Sequence, residues 1–339
     1  MQQNLIIQFD NGQQDLIYQG SSWLRKNLSD EVEIYYNKIV LSFSRSKSMG
    51  LQECLFSPKS LIRYEIQRAL CFYLSVVGFI PKVEGIVLLK NGKEELLENI
   101  SFSEKWHKCK VARTLDAGMA SRMFDGRRFS KDIYISMSYY LKAQMDHFSH
   151  DCFRAAWSGL NVLYTAISPE NASTERDKLN VLKKWVTDGK LSAAVEYVKN
   201  LEEDSFWGKL NWYMFVKQNC DSTGKKKKTK DFLNGVIDLQ DALLVKRITD
   251  LMRAALQIDL SEKENEIERA VSKNIVSYTN RTKFLIAAYC YMVRNRSFHA
   301  ERAYPLFEIR FNSTEKTIEQ ILTELLLITV ECLMKELSV

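Results

Sequence analysis

The stretch Phe284–Glu301 reads FLIAAYCYMVRNRSFHAE and decides the fold. Its first part, from Phe284 to Val293, contains no charged side chain. An α-helix that is apolar on every side is buried among other elements, so this segment predicts the central helix of a helical core. A cluster of polar side chains follows it directly, namely Arg294, Asn295, Arg296 and His299. Polar side chains at the end of a buried helix must form hydrogen bonds, contact solvent or take part in function. This helix end is therefore a candidate site.

The spacing of these side chains constrains how they can cooperate. On one straight helix, Arg294 and His299 point about 140° apart, so they converge only if the helix bends or restarts near Ser297. Asn295 and His299 are four positions apart and share a face if the helix continues. Asn295 is therefore expected to orient the imidazole or to contact a substrate.

An arginine beside a histidine is suited to phosphate chemistry. Guanidinium offers a permanently charged fork of donors to phosphate oxygens, and imidazole exchanges protons near neutral pH. The pair fits RNA cleavage without a metal or cofactor, in which the ribose 2′-hydroxyl attacks the adjacent phosphate. That reaction needs two proton-transfer groups, and this stretch supplies one. A two-fold homodimer would bring two copies of the same patch together.

The chain around the central helix divides by pattern into two parts, 1–125 and 126–339. From Ser130 onward, apolar residues recur at helical spacings, which predicts an all-helical domain. The predicted helices are Ile133–Phe148, Asp151–Ile167, Thr174–Thr187, Leu191–Leu201, Phe206–Val216, Asp231–Ile258 with a break near Ile237, Ser261–Asn274 and Thr314–Leu337. Between them, Cys220–Lys230 is predicted to be a loop. The fold class is therefore mainly α, with a small α+β domain at the N-terminus.

Shorter, more β-rich elements characterise the first part. Strands are predicted at Leu5–Ile7, Glu31–Phe43 and Val83–Leu89, and Asn91-Gly92 predicts a hairpin turn after the last of these. A helix is predicted to open at Ser57-Pro58 and to end at Gly78. The boundary is placed in the Gly- and Arg-rich segment Gly118–Phe129.

Composition and charge limit the class of protein. Only 13 Gly and 4 Pro are present, which favours helices over a protein built from tight turns. The seven cysteines are scattered singly, which predicts reduced thiols in a cytoplasmic protein without a zinc site. No run reaches the roughly 18 apolar residues of a membrane span, and the N-terminus lacks the pattern of a signal peptide.

Two further basic clusters are candidates for contact with RNA. The run Lys225, Lys226, Lys227 and Lys228 has the densest positive charge in the chain, and Arg127-Arg128 lies in the predicted boundary segment. Together with Arg296 they would supply salt-sensitive attraction to phosphates. The alternative is that both clusters are solvated loops, as charge runs usually are. The net charge of +6 permits a polyanionic partner without requiring one.

The segment Tyr291–Ala300, YMVRNRSFHA, resembles the signature of the HEPN superfamily: an Arg, then a polar residue, often Asn, and a His a few residues later, at the end of an apolar helix. The helix with Trp157 and Leu160 is similar to the one that often precedes this motif. The resemblance implies a helical bundle across 126–339. It also implies a dimeric endoribonuclease of a toxin or antiviral defence system, with Arg294 and His299 catalytic and Asn295 supporting them.

The chain departs from the family pattern in places, and alternatives remain open. Some members carry an acidic residue on an earlier helix, where this chain has Asn161. One alternative is a catalytically inactive helical module that binds RNA or a protein. In another, Arg294 and Arg296 only cap the helix dipole while His299 packs in a turn. Residues 1–125 take no part in the resemblance, and three roles stay open for them: binding a regulatory ligand, binding a partner protein, or shaping the substrate channel.

Overall fold

The computed structural model describes residues 2–25, 28–98, 105, 107–146, 148–220, 226–298 and 313–337. The chain is mainly helical and contains a six-stranded antiparallel sheet. It divides into two compact units, Met1–Ala166 together with Leu333–Val339, and Ile167–Cys332. This division falls later than the boundary predicted at Gly118–Phe129. The helix that follows that segment packs against a helix of the α+β region, and so it belongs to the first unit.

The strands of the sheet in the first unit all lie between Gln2 and Leu97. Its strands are β1 Gln2–Phe9, β2 Leu16–Arg25, β3 Leu28–Tyr35, β4 Lys38–Ser44, β5 Val83–Lys90 and β6 Lys93–Leu97, in the order β2-β3-β4-β1-β5-β6. In the central strand β1, Leu5 is paired with Leu41 on one side and Leu88 on the other. Alternate residues of β1 are buried, as expected for a sheet with one face on a core.

Two turns of the sheet test the sequence predictions. The hairpin at Asn91-Gly92 is confirmed, and both residues have positive φ values, 49° and 74°, as a type I′ turn requires. The single strand predicted over Glu31–Phe43 is wrong, because β3 and β4 form a hairpin there. Both arms have the same β-branched and aromatic composition, so the turn at Asn37 leaves little trace in the pattern.

The helices of this part are α1 Leu51–Phe56, α2 Leu61–Val77, α3 Ala117–Ser121, α4 Ser130–Met145 and α5 Ser149–Ile167. Helix α2 covers the sheet, and the hydroxyl of Tyr73 donates to the carbonyl oxygen of Tyr36 at 2.7 Å. Its N-cap is Ser60, whereas Ser57 caps the end of α1. The predicted opening at Ser57-Pro58 is therefore too early. The predicted end at Gly78 is confirmed, and its φ of 89° suits glycine.

The second part of the chain is helical throughout its described elements. They are α6 Glu175–Thr187, α7 Ser192–Lys199, α8 Trp212–Asn219, α9 Lys226–Ile237, α10 Ala242–Ala254, α11 Glu264–Ser272, α12 Tyr278–Phe284, α13 Cys290–Phe298 and α14 Ser313–Leu337. A π-helical turn, Leu285–Tyr289, joins α12 to α13. The break predicted near Ile237 is confirmed. The lysine run is not entirely loop, because α9 begins at Lys226.

Within the described ranges, every helix is too short or too polar to cross a membrane.

Candidate functional site

The central helix of the second unit consists of α12, the π-helical turn and α13. Leu285, Ile286 and Cys290 are each fully buried, so the prediction of a buried helix is confirmed. Phe284 stacks on Trp212 with ring centroids 5.4 Å apart and meets Phe215 edge-on at 5.0 Å. This aromatic packing fixes the middle of the helix against α8, and so fixes the position from which its polar end continues.

The π-helical turn is a local widening inside this helix. The hydroxyl of Tyr289, at its end, accepts a hydrogen bond from the backbone N–H of Asn211 at 2.9 Å. Single wide turns of this kind often occur at functional positions, because they rotate the downstream residues relative to a regular α-helix. Here the rotated residues are those of α13, which includes Arg294 and Asn295.

Two residues of the predicted catalytic set contact each other at the end of α13. Nη1 of Arg294 donates a hydrogen bond to Oδ1 of Asn295 at 2.9 Å, and both side chains are half-buried. Arg296 is also half-buried. The amide oxygen of Asn295 thus accepts a hydrogen bond from the neighbouring guanidinium. From the sequence, Asn295 was expected to orient the imidazole of His299 or to contact a substrate.

The third member of the set, His299, lies outside the described residues. Helix α13 runs through Ser297 to Phe298, so its described part lacks the restart that would bring Arg294 and His299 to one face. The departure from regular α-helix in the described part lies upstream, at the π-helical turn. The pairing of Arg294 with His299 therefore stays a prediction.

The predicted RNA-contacting residues are distributed over both units. Lys227 and Lys228 are exposed in the first turn of α9, and Nζ of Lys228 donates to the carbonyl oxygen of Gln218 at 2.9 Å. Lys225 lies outside the described residues, as does the side chain of Lys226. Arg127 and Arg128 belong to the first unit, where both are exposed.

Local partners already occupy these two arginines. Arg127 lies 3.5 Å from the carboxylate of Asp125, and Arg128 stacks over the ring of Phe129 at 5.0 Å.

A cavity of about 1080 Å³ in the second unit is the feature that sequence analysis missed. One wall is the central helix, from Lys283 to Asn295, and helices α6, α8, α9 and α10 contribute the others. Its apolar surface includes Phe215, Phe232, Val236, Leu239, Phe284 and Met292. Asn295 is one of the lining residues, so the cavity extends to the polar end of the central helix.

Positive charge surrounds this apolar surface. The cationic lining residues are Arg176, Lys183, Lys227, Lys228 and Lys283, against a single carboxylate, Asp231. None of the five cations forms an ion pair with a carboxylate among the described residues. Lys183 and Lys283 are half-buried and donate to amide oxygens, those of Asn180 at 3.4 Å and Asn280 at 3.2 Å.

The charges of this group act on one another. Burial lowers the pKa of Lys183 below its ordinary value, and the nearby charges of Arg176 and Lys283 lower it further. A signal for this group existed in the sequence: Arg176, Leu179 and Lys183 are spaced three and four positions apart, which places them on one face of α6. The sequence pattern does not show which other helices face these residues, so it could not predict the cavity.

In the described part of the chain, no three His, Cys, Asp or Glu side chains come together as a metal-binding group. No protein-family model, curated protein or solved structure matches the chain. The chemistry of the residues themselves is therefore the basis for a proposed function.

Proposed function

We propose that this protein is a metal-independent endoribonuclease that acts as a homodimer in the cytoplasm. In this proposal, 126–339 is a HEPN-like helical domain, Arg294 and His299 are catalytic, and Asn295 supports them. The setting that fits such an activity is a toxin or antiviral defence system. For residues 1–125 the proposal leaves the role open, with a regulatory protein or ligand as the candidate partner.

The observation that carries the proposal is the hydrogen bond from Arg294 to Asn295 at the end of a buried helix. A guanidinium has five N–H donors, and one of them is used here to hold its plane. A guanidinium whose plane is held by a neighbouring side chain meets phosphate oxygens in a fixed orientation. A donor array that is oriented before the substrate arrives loses less freedom on binding, and it stabilises charge that develops in the transition state.

The reaction divides between the two catalytic side chains. The 2′-oxygen of the ribose bonds to phosphorus while its proton passes to a base, and the bond from phosphorus to the 5′-oxygen breaks as an acid protonates that oxygen. The products are a 2′,3′-cyclic phosphate and a 5′-hydroxyl end. His299 is assigned to proton transfer and Arg294 to the phosphorane charge. One histidine from each subunit supplies the base and the acid.

The basic residues near this helix support an RNA substrate. Lys227 and Lys228 are exposed on α9, and α9 and the central helix contribute to the same cavity. Cations at this place attract a phosphate backbone, and their contribution weakens as salt is raised.

The test is cleavage of total RNA by the purified full chain in the presence of EDTA, followed by mapping of the RNA ends. We expect 2′,3′-cyclic phosphate ends from the wild type, and no cleavage by Arg294→Ala or His299→Ala. Arg269→Ala is the matched control, because Arg269 is exposed on α11 of the same unit. Circular dichroism and light scattering on each variant establish that the fold and the dimer are intact.

Two outcomes contradict the proposal. Cleavage that persists in both variants, or that stops in EDTA, excludes this mechanism. RNA binding without cleavage in the wild type favours the alternative of a catalytically inactive helical module.

A further inference from the structure

We infer that strand β2 of the first unit pairs with β2 of a second copy of this chain, so that the two sheets continue into each other across a two-fold axis at Gly20. This contact is separate from the pairing of Arg294 and His299 patches that the proposed ribonuclease needs, and it uses no residue of that site. It rests on the free edge of β2, on the symmetry of that edge and on its side chains.

Strand β2 lies at one edge of the described sheet, next to β3. Trp23 shows which of its backbone groups face outward, because its N–H donates to the carbonyl oxygen of Phe124 at 2.9 Å and not to β3. Backbone groups alternate along a strand, so those of Gln19 and Ser21 face outward too. In the described part of the chain, the outward N–H and C=O groups of these two residues have no hydrogen-bond partner. An edge with such groups is a template for another strand.

The free part of this edge is symmetric about Gly20. On one side it ends at a bulge at Ile17, where the pairing with β3 shifts between Leu16 and Tyr18. On the other side it ends at Trp23, whose N–H is already used by Phe124. Both ends lie three positions from Gly20. In an antiparallel pair centred on Gly20, the interruption in one copy therefore meets the interruption in the other.

This register forms a regular ladder between the interruptions. Gln19 of one copy lies opposite Ser21 of the other, and the axis repeats the pair on its other side. Two opposite residues whose outward groups face each other exchange both of their N–H···O bonds. Gly20 lies opposite itself at a position of the other kind, where Cα atoms approach to about 4.5 Å. The missing side chain of Gly20 removes crowding at this closest approach.

The edge of β2 lacks the features that keep strands from pairing. From Leu16 to Trp23 the sequence is LIYQGSSW, without the charged residues or proline that usually protect an edge strand. The strand at the opposite edge, β6, has this protection, since it begins with Lys93-Glu94-Glu95. Self-association is therefore expected at β2 and not at β6.

Two exposed apolar side chains flank the ladder. Leu16 and Trp23 have exposed fractions of 48% and 42%. Their partners on β3, Tyr35 and Ser29, are an even number of positions apart, so both side chains lie on the same face of the sheet. The register centred on Gly20 places Leu16 of one copy beside Trp23 of the other. The contact thus covers apolar surface at both ends of the ladder.

The polar side chains beside the axis also suit a second copy. Gln19 donates to the carboxylate of Glu33 at 3.1 Å, and Ser21 donates to that of Glu31 at 2.8 Å, so these carboxylates are held on β3. The side chains that meet across the axis are then an amide and a hydroxyl. No like charges oppose each other there, which would otherwise destabilise the pair.

The first test is disulfide cross-linking between copies of the full-length chain. Opposite residues of a hydrogen-bonded antiparallel pair have Cα atoms about 5.5 Å apart, a usual separation in a disulfide. A mixture of Gln19→Cys and Ser21→Cys chains, oxidised with diamide, is expected to give a dimer in which mass spectrometry finds positions 19 and 21 linked. Each variant alone is the matched control, because neither position lies opposite itself. The wild type, with its seven cysteines, sets the background.

The second test removes a hydrogen bond of the ladder. Ser21→Pro deletes an outward N–H on both sides of the axis, and proline is tolerated at a sheet edge where the N–H faces solvent. We expect association to weaken by about tenfold or more, measured by sedimentation velocity over a concentration series. Ser21→Ala keeps the N–H and is the matched control. Circular dichroism establishes that each variant is folded.

Two results overturn the inference. One is a mixture that cross-links no more than the separate variants do. The other is an equal concentration dependence of sedimentation for wild type and folded Ser21→Pro, and cross-linking that accompanies it then reflects collision only. RNA cleavage is a separate measurement. An active protein that fails both tests refutes only the β2 contact, and an inactive protein that passes them refutes only the ribonuclease.

Discussion

The carboxylate of Asp241 and the guanidinium of Arg281 form a buried ion pair, with Nε of Arg281 2.9 Å from Oδ2 of Asp241. The same oxygen accepts the backbone N–H of Ser277 at 2.9 Å, and Oδ1 caps the start of α10 through the N–H of Leu244 at 3.2 Å. A single buried side chain thus fastens the beginning of α12 to α10. The central helix that leads to Arg294 begins at this anchor.

Loss of the carboxylate is expected to destabilise the second unit strongly. Asp241→Ala removes an N-cap and leaves the buried guanidinium of Arg281 without its counter-charge. Breaking one partner of a buried pair costs about 3 to 5 kcal/mol. Urea unfolding followed by circular dichroism measures this loss. The control is Asp250→Ala, an exposed residue whose ion pair with Arg253 is 3.8 Å long and contributes about 0 to 1 kcal/mol.

Asp241→Asn separates the two roles of this side chain. The amide oxygen can still cap α10, but it carries no charge for Arg281. An unfolding free energy equal to that of the wild type in Asp241→Asn would contradict the importance of the ion pair.

A second buried pair lies in the first unit and is expected to make stability depend on pH. Nη1 of Arg68 lies 2.7 Å from Oε1 of Glu65, and both side chains are buried. Burial raises the pKa of Glu65 above 4.5, against the opposing effect of Arg68. The folded state therefore holds this proton more tightly than the unfolded chain. Its contribution to stability is full below pH 4.5 and is lost as pH rises through the raised pKa.

Arg68→Met removes the charge that opposes this rise. We expect a loss of about 3 to 5 kcal/mol near neutral pH, and a smaller loss in acid, where Glu65 is protonated and needs no counter-charge. Denaturant unfolding at a series of pH values measures both. Arg63→Met, at an exposed position of α2, is the control. A loss from Arg68→Met that does not shrink in acid would show that packing, rather than the buried charge, dominates.

Asn295 is expected to act by positioning Arg294. Asn295→Ala removes the acceptor of the 2.9 Å hydrogen bond, and with it one of the contacts that orient the guanidinium. Loss of orientation at a reacting centre lowers turnover by about 10- to 100-fold, so we expect reduced kcat with residual cleavage. Asn295→Asp should be at least as damaging, because an ion pair with Arg294 would compete with the phosphate. Single-turnover assays on a defined RNA measure both effects.

The comparison with Asn295→Gln provides the control. The longer amide can still reach a guanidinium, so partial rescue is expected. Complete inactivity of Asn295→Ala, with no rescue by Gln, would indicate direct participation in catalysis instead.

Short sequence patterns predicted those elements that depend on interactions between residues close together in the chain. The apolar run Phe284–Val293 predicted a buried helix, and Asn91-Gly92 predicted its hairpin, because periodicity and turn chemistry act within a few residues. The start of α9 was missed for the opposite reason. Adjacent lysines repel each other, and such a run is typical of a solvated loop. Leu233 and Val236 of the same helix are buried, however, and the free energy of this tertiary packing outweighs the repulsion.

In the candidate site, too, features formed by neighbouring residues could be predicted, whereas features formed by residues distant in sequence could not. The sequence predicted that Arg294 and Asn295 form a polar cluster at the end of a buried helix, because they follow an apolar run directly, and their functional role stays a prediction. The ion pair of Asp241 with Arg281 could not be predicted, since its partners are far apart in the chain. The cavity is likewise formed by helices that are distant in sequence, from Arg176 on α6 to Asn295 on α13.

Binding of a polyanion such as tripolyphosphate in the cavity of the second unit is expected to weaken at alkaline pH through Lys183. Its pKa lies below 10.5, mainly because of burial and also because of the charges of Arg176 and Lys283. The other charged groups lining the cavity are Lys227, Lys228 and Asp231. A bound polyanion favours the ammonium form, so binding raises this pKa and takes up a proton. Affinity should therefore be highest where free Lys183 is already protonated, and it should fall as pH rises through the lowered pKa.

The variant Lys183→Arg tests whether Lys183 is the group responsible for this pH dependence. The last phosphate ionisation, with a pKa of about 6, is complete above neutral pH, so the ligand charge is constant over the alkaline range. Lys183→Arg keeps a cation that does not titrate there, and it should shift the fall in affinity to higher pH. Calorimetry in two buffers of different ionisation enthalpy counts the protons taken up. An identical alkaline profile for wild type and Lys183→Arg would exclude Lys183 as the titrating group.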